Sequence, residues 1–294
     1  MFVDNDWYGH RTILANYCQV KNEPILGSIQ HGVHVADLKE NLGKHKLPFA
    51  KHFCWSRPVY ENSIHYKISN VIPIGAPFLY LDKMNNEVFS NKGTLVFPAH
   101  SNPNDPRFFK HDVFIKYIMD YYPEPYTACL FFLDFTQDII NIYKKNNWNV
   151  VTAGKRSSPN FLQNLYTYIK KHEYCISTEL GTSLFYSLYL NKKSSYLYKF
   201  KLNNKYEYFS QFSKAPMFMD QFKKYKNDNK FLLEKIIDID RGKKLANIEL
   251  GNEFIKDRHD LKVILGFDNI MMSVLAKISS KLIDIKYKKM RTWE

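Results

Sequence analysis

Apolar positions in the middle of the chain fall into two alternating periods. Four short runs, TLVF (94–97), YTACLFFL (126–133), NVVTA (149–153) and YCIS (174–177), show almost no polar face, as strands buried on both sides do. Between them lie stretches with helical spacing. HDVFIKYIMDYY (111–122) puts Val113, Phe114, Tyr117, Ile118 and Tyr121 on one face. Thr136 caps a run carrying Ile139, Ile140, Ile142 and Tyr143, and Ser158–Pro159 open one whose stripe is Phe161, Leu162, Leu165, Tyr166 and Ile169. The stretch 174–197 reads as strand, Ser/Thr/Gly turn, helix and strand. Strands alternating with helices predict an α/β fold with mostly parallel sheet covered on both faces.

The first part of the chain is less regular. Asp4 and Asp6 precede a helical run with Ile13, Leu14 and Tyr17. Ile25 to Ile29 reads as a buried strand, and QHGVH follows as a turn. KHFCWS and VIPI read as further short strands, the latter ending in a Gly75–Ala76–Pro77 turn and an apolar patch. Residues 82–93 are polar and weakly patterned, the best linker in the chain. They divide it into residues 1–85 and 86–269, with 270–294 available to complete the first unit. Residues 200–294 read as largely helical. The last helix sets Lys277, Lys281, Lys286, Lys288, Lys289 and Arg291 against Val274, Leu275, Ile278, Leu282 and Ile285. Such a helix packs on its own domain or lies on an anionic membrane through 274–291.

Composition adds bounds. At 294 residues and 45% apolar, the chain has room for one large or two modest cored domains. A formal net charge of +13 points to anionic partners. Lysines dispersed through a chain also rich in Asn, Ile, Tyr and Phe discount that pull, and no nucleic-acid signature accompanies it. Four widely spaced cysteines form no CxxC pair, and Cys129 and Cys175 sit in apolar runs as small hydrophobes. The first residues lack a basic and apolar leader pattern, and no apolar run approaches the length of a bilayer span. The expectation is a cytoplasmic protein, peripheral at the inner face of the membrane if it meets one.

The familiar chemical motifs are missing. There is no GxGxxG after a strand, no GxxxxGK[ST], no HExxH, no GxSxG elbow and no ligand-spaced metal cluster, so no cofactor or metal is expected. What remains is a set of loops that parallel strands bring to one edge. The loop after TLVF carries His100 and Ser101, that after NVVTA carries Gly154, Lys155 and Arg156, and that after YCIS carries Ser177, Thr178, Gly181, Thr182 and Ser183. An imidazole, two cations, hydroxyls and a helix N-terminus suit a phosphate-bearing ligand. In the first half, Gln30, His31 and His34 fall at the carboxyl end of a strand. Asp4 and Asp6 are helix caps or, alternatively, a catalytic carboxylate.

The strings TLVFPAHS, AGKRSSPNFLQNL and CISTELGTSLFYSLYLNKKSSYL resemble the nucleotide-sugar-binding half of GT-B glycosyltransferases, most of all those of bacterial surface-polysaccharide synthesis. DWYGHRTILANY, GSIQHGVH and IGAPFLYL resemble their acceptor half, and together the resemblance covers roughly residues 4–200. It implies two Rossmann-like domains facing a cleft and sugar transfer without a catalytic metal. In the members that use CMP-sugars, a His-Pro motif and a later Ser/Thr pair hold the cytidine phosphate. His100 and Ser177–Thr178 match these, although here Pro98 precedes the histidine and Ser101 follows it. The family's acidic base is matched by Asp4 or Asp6, without the usual acidic run. No Glu-x7-Glu pattern is evident, which favours inversion. The implied partners are a nucleotide sugar and a glycan or lipid-linked glycan acceptor. The alternatives are a CDP-polyol phosphotransferase, a basic nucleic-acid or polysaccharide-assembly binding protein, and a degenerate transferase acting as a scaffold.

Overall fold

The computed structural model describes residues 6–21, 24–25, 27–33, 51–99, 109–200, 224–268 and 274. Two parallel sheets carry the described part of the chain. The first joins β1 (Gly27–Ile29), β2 (Lys51–Cys54) and β3 (Val71–Pro73) in that order, with Ser28 opposite His52 and Phe53 opposite Ile72. The second contains β4 (Thr94–Phe97), β5 (Tyr126–Cys129), β6 (Asn149–Val151), β7 (Tyr174–Ser177) and β8 (Lys193–Tyr196), ordered β6-β5-β4-β7-β8. This is doubly wound topology, and its switch point lies between β4 and β7, where neighbouring connections leave in opposite directions and open a crevice. There Thr178 N donates to Phe97 O at 3.2 Å.

The helices among the described residues include α1 (His10–Tyr17), α2 (Arg57–His65), α3 (Pro77–Met84), α4 (His111–Tyr121), α5 (Gln137–Lys144), α6 (Phe161–Lys171), α7 (Thr182–Tyr189), α8 (Ile239–Glu249) and α9 (Arg258–Leu265). Trp7–Gly9 forms a 3-10 turn before α1. Their starts follow local chemistry. Pro77 opens α3, Asp238 accepts from Arg241 N at 2.8 Å to start α8, and Asp257 accepts from Asp260 N at 2.8 Å to start α9. Gly266, at φ 78, ends α9 in the left-handed region. The helix expected to start at Ser158–Pro159 begins at Phe161 instead, with Asn160 at the N-cap and Ser158 N in a turn onto Lys155 O. The apolar patch after Gly75–Ala76 is α3, buried from Pro77 to Leu81. Of the expected linker 82–93, residues 82–84 close α3 and residues 85–92 are irregular.

One core cluster runs through elements of both sheets. It includes Phe53, Trp55 and Ile74 from the first, Leu95 and Cys175 from the second, and Phe78 and Tyr186 between them. The Phe78 and Tyr186 rings stack with centroids 3.8 Å apart and planes 4° apart. Helix α8 packs on α7, where a Cβ on Gly242 would lie 2.7 Å from Leu188 Cδ2. All four cysteines are free and buried, and burial pushes the Cys18 thiol up to about 11 and the other three to about 12. They are inert small hydrophobes.

Candidate active site at the meeting of two sheet edges

The carboxyl edges of the two sheets meet. From the first, the turn after β1 carries Gln30, His31 and Gly32. Val33 N donates to Thr182 Oγ1, at the start of α7, at 3.0 Å. The approach is close enough that a Cβ on Gly32 would lie 2.7 Å from that same oxygen. A second bridge joins Tyr8 N to Arg156 O at 2.6 Å. It requires unusual backbone: Asp6, Tyr8 and Gly9 all have positive φ, of 56°, 61° and 70°. At Gly9 any side chain would meet Pro159 O at 2.4 Å.

The second sheet supplies backbone N–H donors, hydroxyls and two cations. α7 follows β7 at the switch point. Its N-cap is Gly181, with no side-chain cap, and the N–H groups of Gly181, Thr182 and Ser183 donate to nothing among the described residues. Such free N–H groups with the helix dipole behind them attract negative charge. Ser177 is committed to shaping the loop: its hydroxyl donates to Glu179 O at 2.7 Å and accepts from Glu179 N at 3.2 Å. Thr178 is buried, and its Oγ1 has no hydrogen-bond partner among the described residues. Lys155 is exposed. The Arg156 guanidinium lies over the rings of Trp7 (5.9 Å to the centroid) and Phe131 (5.5 Å), while its Nε is closed off from water and makes no hydrogen bond among the described residues. A weakly hydrated, stacked guanidinium with donors to spare suits a phosphate oxygen.

On the facing side His31 is exposed, with its ring centroid 4.7 Å from that of Trp7. Asp6 is differently employed. Its Oδ1 accepts from Thr12 N at 2.9 Å and its Oδ2 from Thr12 Oγ1 at 2.5 Å, with Arg11 Nη2 3.7 Å away. Both oxygens hold the first turn of α1, the capping role that acidic residues before a helix ordinarily take. Gln30 is buried and braces the turn beside it: Nε2 donates to Gly32 O at 2.7 Å, and Oε1 accepts from Trp55 N at 2.8 Å. Gln30 therefore positions His31 rather than lining an open cleft. Asp4, His34, His100, Ser101 and the basic helix of 274–291, apart from residue 274, lie outside the described residues.

Sequence reasoning missed three side chains that the fold brings here. His10 is buried against Trp55, with ring centroids 5.4 Å apart. Desolvation, with the charge of His31 adding to it, pulls its imidazole down to about 3, so it stays neutral. Trp55 in turn lies 6.4 Å from Tyr186 of α7. A histidine opening a helix and two core aromatics give no signal in sequence, because their contacts join residues 10, 55 and 186.

Among the described residues no group of His, Cys, Asp and Glu is placed to hold a metal ion, and no helix is long and apolar enough to cross a membrane. No family model matches the chain, and no curated protein does. Among solved structures, a UDP-GlcNAc 2-epimerase from Neisseria meningitidis bound to UDP-GlcNAc aligns with 82% of this chain and 69% of its own, at 12% identity and a TM-score of 0.39. A likeness that remote bears on neither fold nor chemistry, which rest on the residues above.

Proposed function

We propose that the protein is a nucleotide-sugar-dependent glycosyltransferase. CMP-linked sugars are the favoured donors, and the acceptor is a glycan or lipid-linked glycan of a cell-surface polysaccharide. One observation carries the proposal: the uncapped N-terminus of α7, at the switch point of one parallel sheet, is hydrogen-bonded to the His31 turn at the carboxyl end of the other. This contact supports a reading in which an anion held at the start of α7 faces the exposed His31 imidazole, the arrangement that displacement at a phosphate-activated carbon needs.

In this scheme His31 takes the proton from the acceptor hydroxyl as its oxygen attacks the anomeric carbon. The bond from that carbon to the phosphate oxygen breaks, and its electron pair leaves with the nucleotide. The N–H groups of 181–183 and the Arg156 guanidinium hold the charge that develops on the departing phosphate. Asp6, tied to Thr12, keeps the segment bearing Trp7 and Tyr8 in place. Thermal-shift measurements with CMP, CDP, UDP and GDP test the donor side, with stabilisation by CMP or its sugar conjugates expected. Indifference to all four nucleotides refutes it.

A further inference from the structure

The turn after β5 is built inside out. Phe131, Phe132, Leu133, Asp134 and Phe135 follow one another there, and Asp134 N donates to Phe131 O at 2.9 Å to close the bend. The acid is turned inward: Asp134 is 7% exposed and lies near enough to His111 and Tyr143 for its charge to act on both. The apolar side chains are the ones left outside. Leu133 is 40% exposed and Phe135 38%, while Phe131 and Phe132 are half-buried with ring centroids 4.6 Å apart. A buried acid beside exposed large hydrophobes reverses the usual distribution. Apolar side chains gathered on one exposed turn mark a contact with something apolar.

The flanks of the turn say what. In the order β6-β5-β4 it follows the middle strand, so the loops after β6 and β4 stand on either side of it. From the β6 side the Arg156 guanidinium lies 5.5 Å from the Phe131 ring centroid, with exposed Lys155 beside it in the chain. From the β4 side exposed Lys110 precedes His111 at the start of α4. The acids on these flanks, Asp112 and Asp138, occupy the first turns of α4 and α5, where the positive ends of the helix dipoles offset them. Exposed hydrophobes between cations complement an anionic bilayer, whose acyl chains take the former and whose headgroups take the latter. A nucleobase would want a flat aromatic face at the tip, and Leu133, the most exposed of the four, offers none. We infer that the 131–135 turn docks on an anionic lipid bilayer: Leu133 and Phe135 enter the boundary of headgroups and acyl chains, and Lys110 and Lys155 meet lipid phosphates. This contact needs neither the transferase activity nor segment 274–291.

Co-sedimentation of the full chain with phosphatidylcholine vesicles, with and without phosphatidylglycerol, tests the docking turn. No nucleotide is added, so lipid binding is read apart from the donor site. Wild type should bind the mixed vesicles and hold the neutral ones about fivefold less tightly or worse, the effect of one cation at an anionic surface. The double variant Leu133→Ser/Phe135→Ser changes only exposed side chains and should melt as wild type does. It should bind mixed vesicles about tenfold more weakly, through the lost apolar burial. A second readout reports the turn itself and decides the matter if the double variant does not fold. The four native cysteines are buried, so Phe135→Cys takes an environment-sensitive dye selectively. Its emission should shift to the blue on mixed vesicles. No binding by wild type, equal binding to both kinds of vesicle, or dye emission unmoved by lipid overturns the inference. Binding unchanged in the double variant assigns the contact to another surface and overturns it too. So does a double variant that keeps its lipid affinity and loses stabilisation by nucleotides, since the turn would then serve the nucleotide.

Discussion

Substituting Gly32 by alanine probes the junction on which the functional reading depends. The new Cβ would stand 2.7 Å from Thr182 Oγ1, and relief requires that side chain to rotate away. Rotation breaks its bond from Val33 N, which is 3.0 Å long. Leaving that partly buried N–H without a partner costs about 1–3 kcal/mol. Thr182→Ala removes the same oxygen and should cost a similar amount. In the double variant the oxygen is already gone, and the next nearest atom to the new methyl is Thr182 Cβ, at an ordinary 3.9 Å. The pair should therefore cost about as much as Thr182→Ala alone, so the coupling recovers about 1–3 kcal/mol of the summed single effects. Denaturant unfolding of the four proteins measures it. Effects that add to within about 0.5 kcal/mol would mean that the two residues do not touch, and the facing sheet edges would be wrong.

Other expectations concern the site and the core. His31→Gln should lower turnover by about 10²–10⁴-fold and leave nucleotide affinity unchanged, which steady-state kinetics beside titration calorimetry will show. Arg156→Ala should weaken nucleotide binding about tenfold or more, the effect of one charge-assisted bond, in the same calorimetry. Gly251→Ala should sharply lower the yield of folded protein on expression, because its Cβ would stand within 1.7 Å of Trp55 O at a φ of 69°. Burial pushes the Glu249 carboxyl up to about 7, above its ordinary 4.5. The folded chain then binds the proton more tightly than the unfolded one, so this group's contribution is complete below pH 4.5 and is lost as pH rises through 7. Glu249→Gln should abolish that part of the pH dependence in urea midpoints measured between those limits.

Much of the second sheet was legible because four of its five strands lie in short apolar runs separated by helical stretches. The fifth, β8, reads Lys-Ser-Ser-Tyr and was expected only as the strand that closes the 174–197 stretch, and the turn at 177–181 falls at the switch point that parallel topology dictates. Helix α3 was not legible for the opposite reason. Pro77 to Leu81 are all buried, so the run has no polar face and its period is invisible. Helix α2 is hidden differently: Arg57–His65 buries only Val59 and Ser63, too few for a stripe. Asp6 illustrates a limit of residue chemistry. The sequence offers a cap or a base, and only the two bonds to Thr12 show that its oxygens serve α1. His10, Trp55 and Tyr186 become a group only through contacts between distant parts of the chain, which no local pattern records.

The central claim is that the start of α7 seats a ligand phosphate, and amide NMR addresses it directly. In an isotope-labelled sample titrated with CMP, the backbone N–H resonances of Gly181, Thr182 and Ser183 should move downfield together and saturate at a common affinity, as amides taking up hydrogen bonds to an anion do. Saturable binding of CMP that leaves those three amides where they were would contradict the claim.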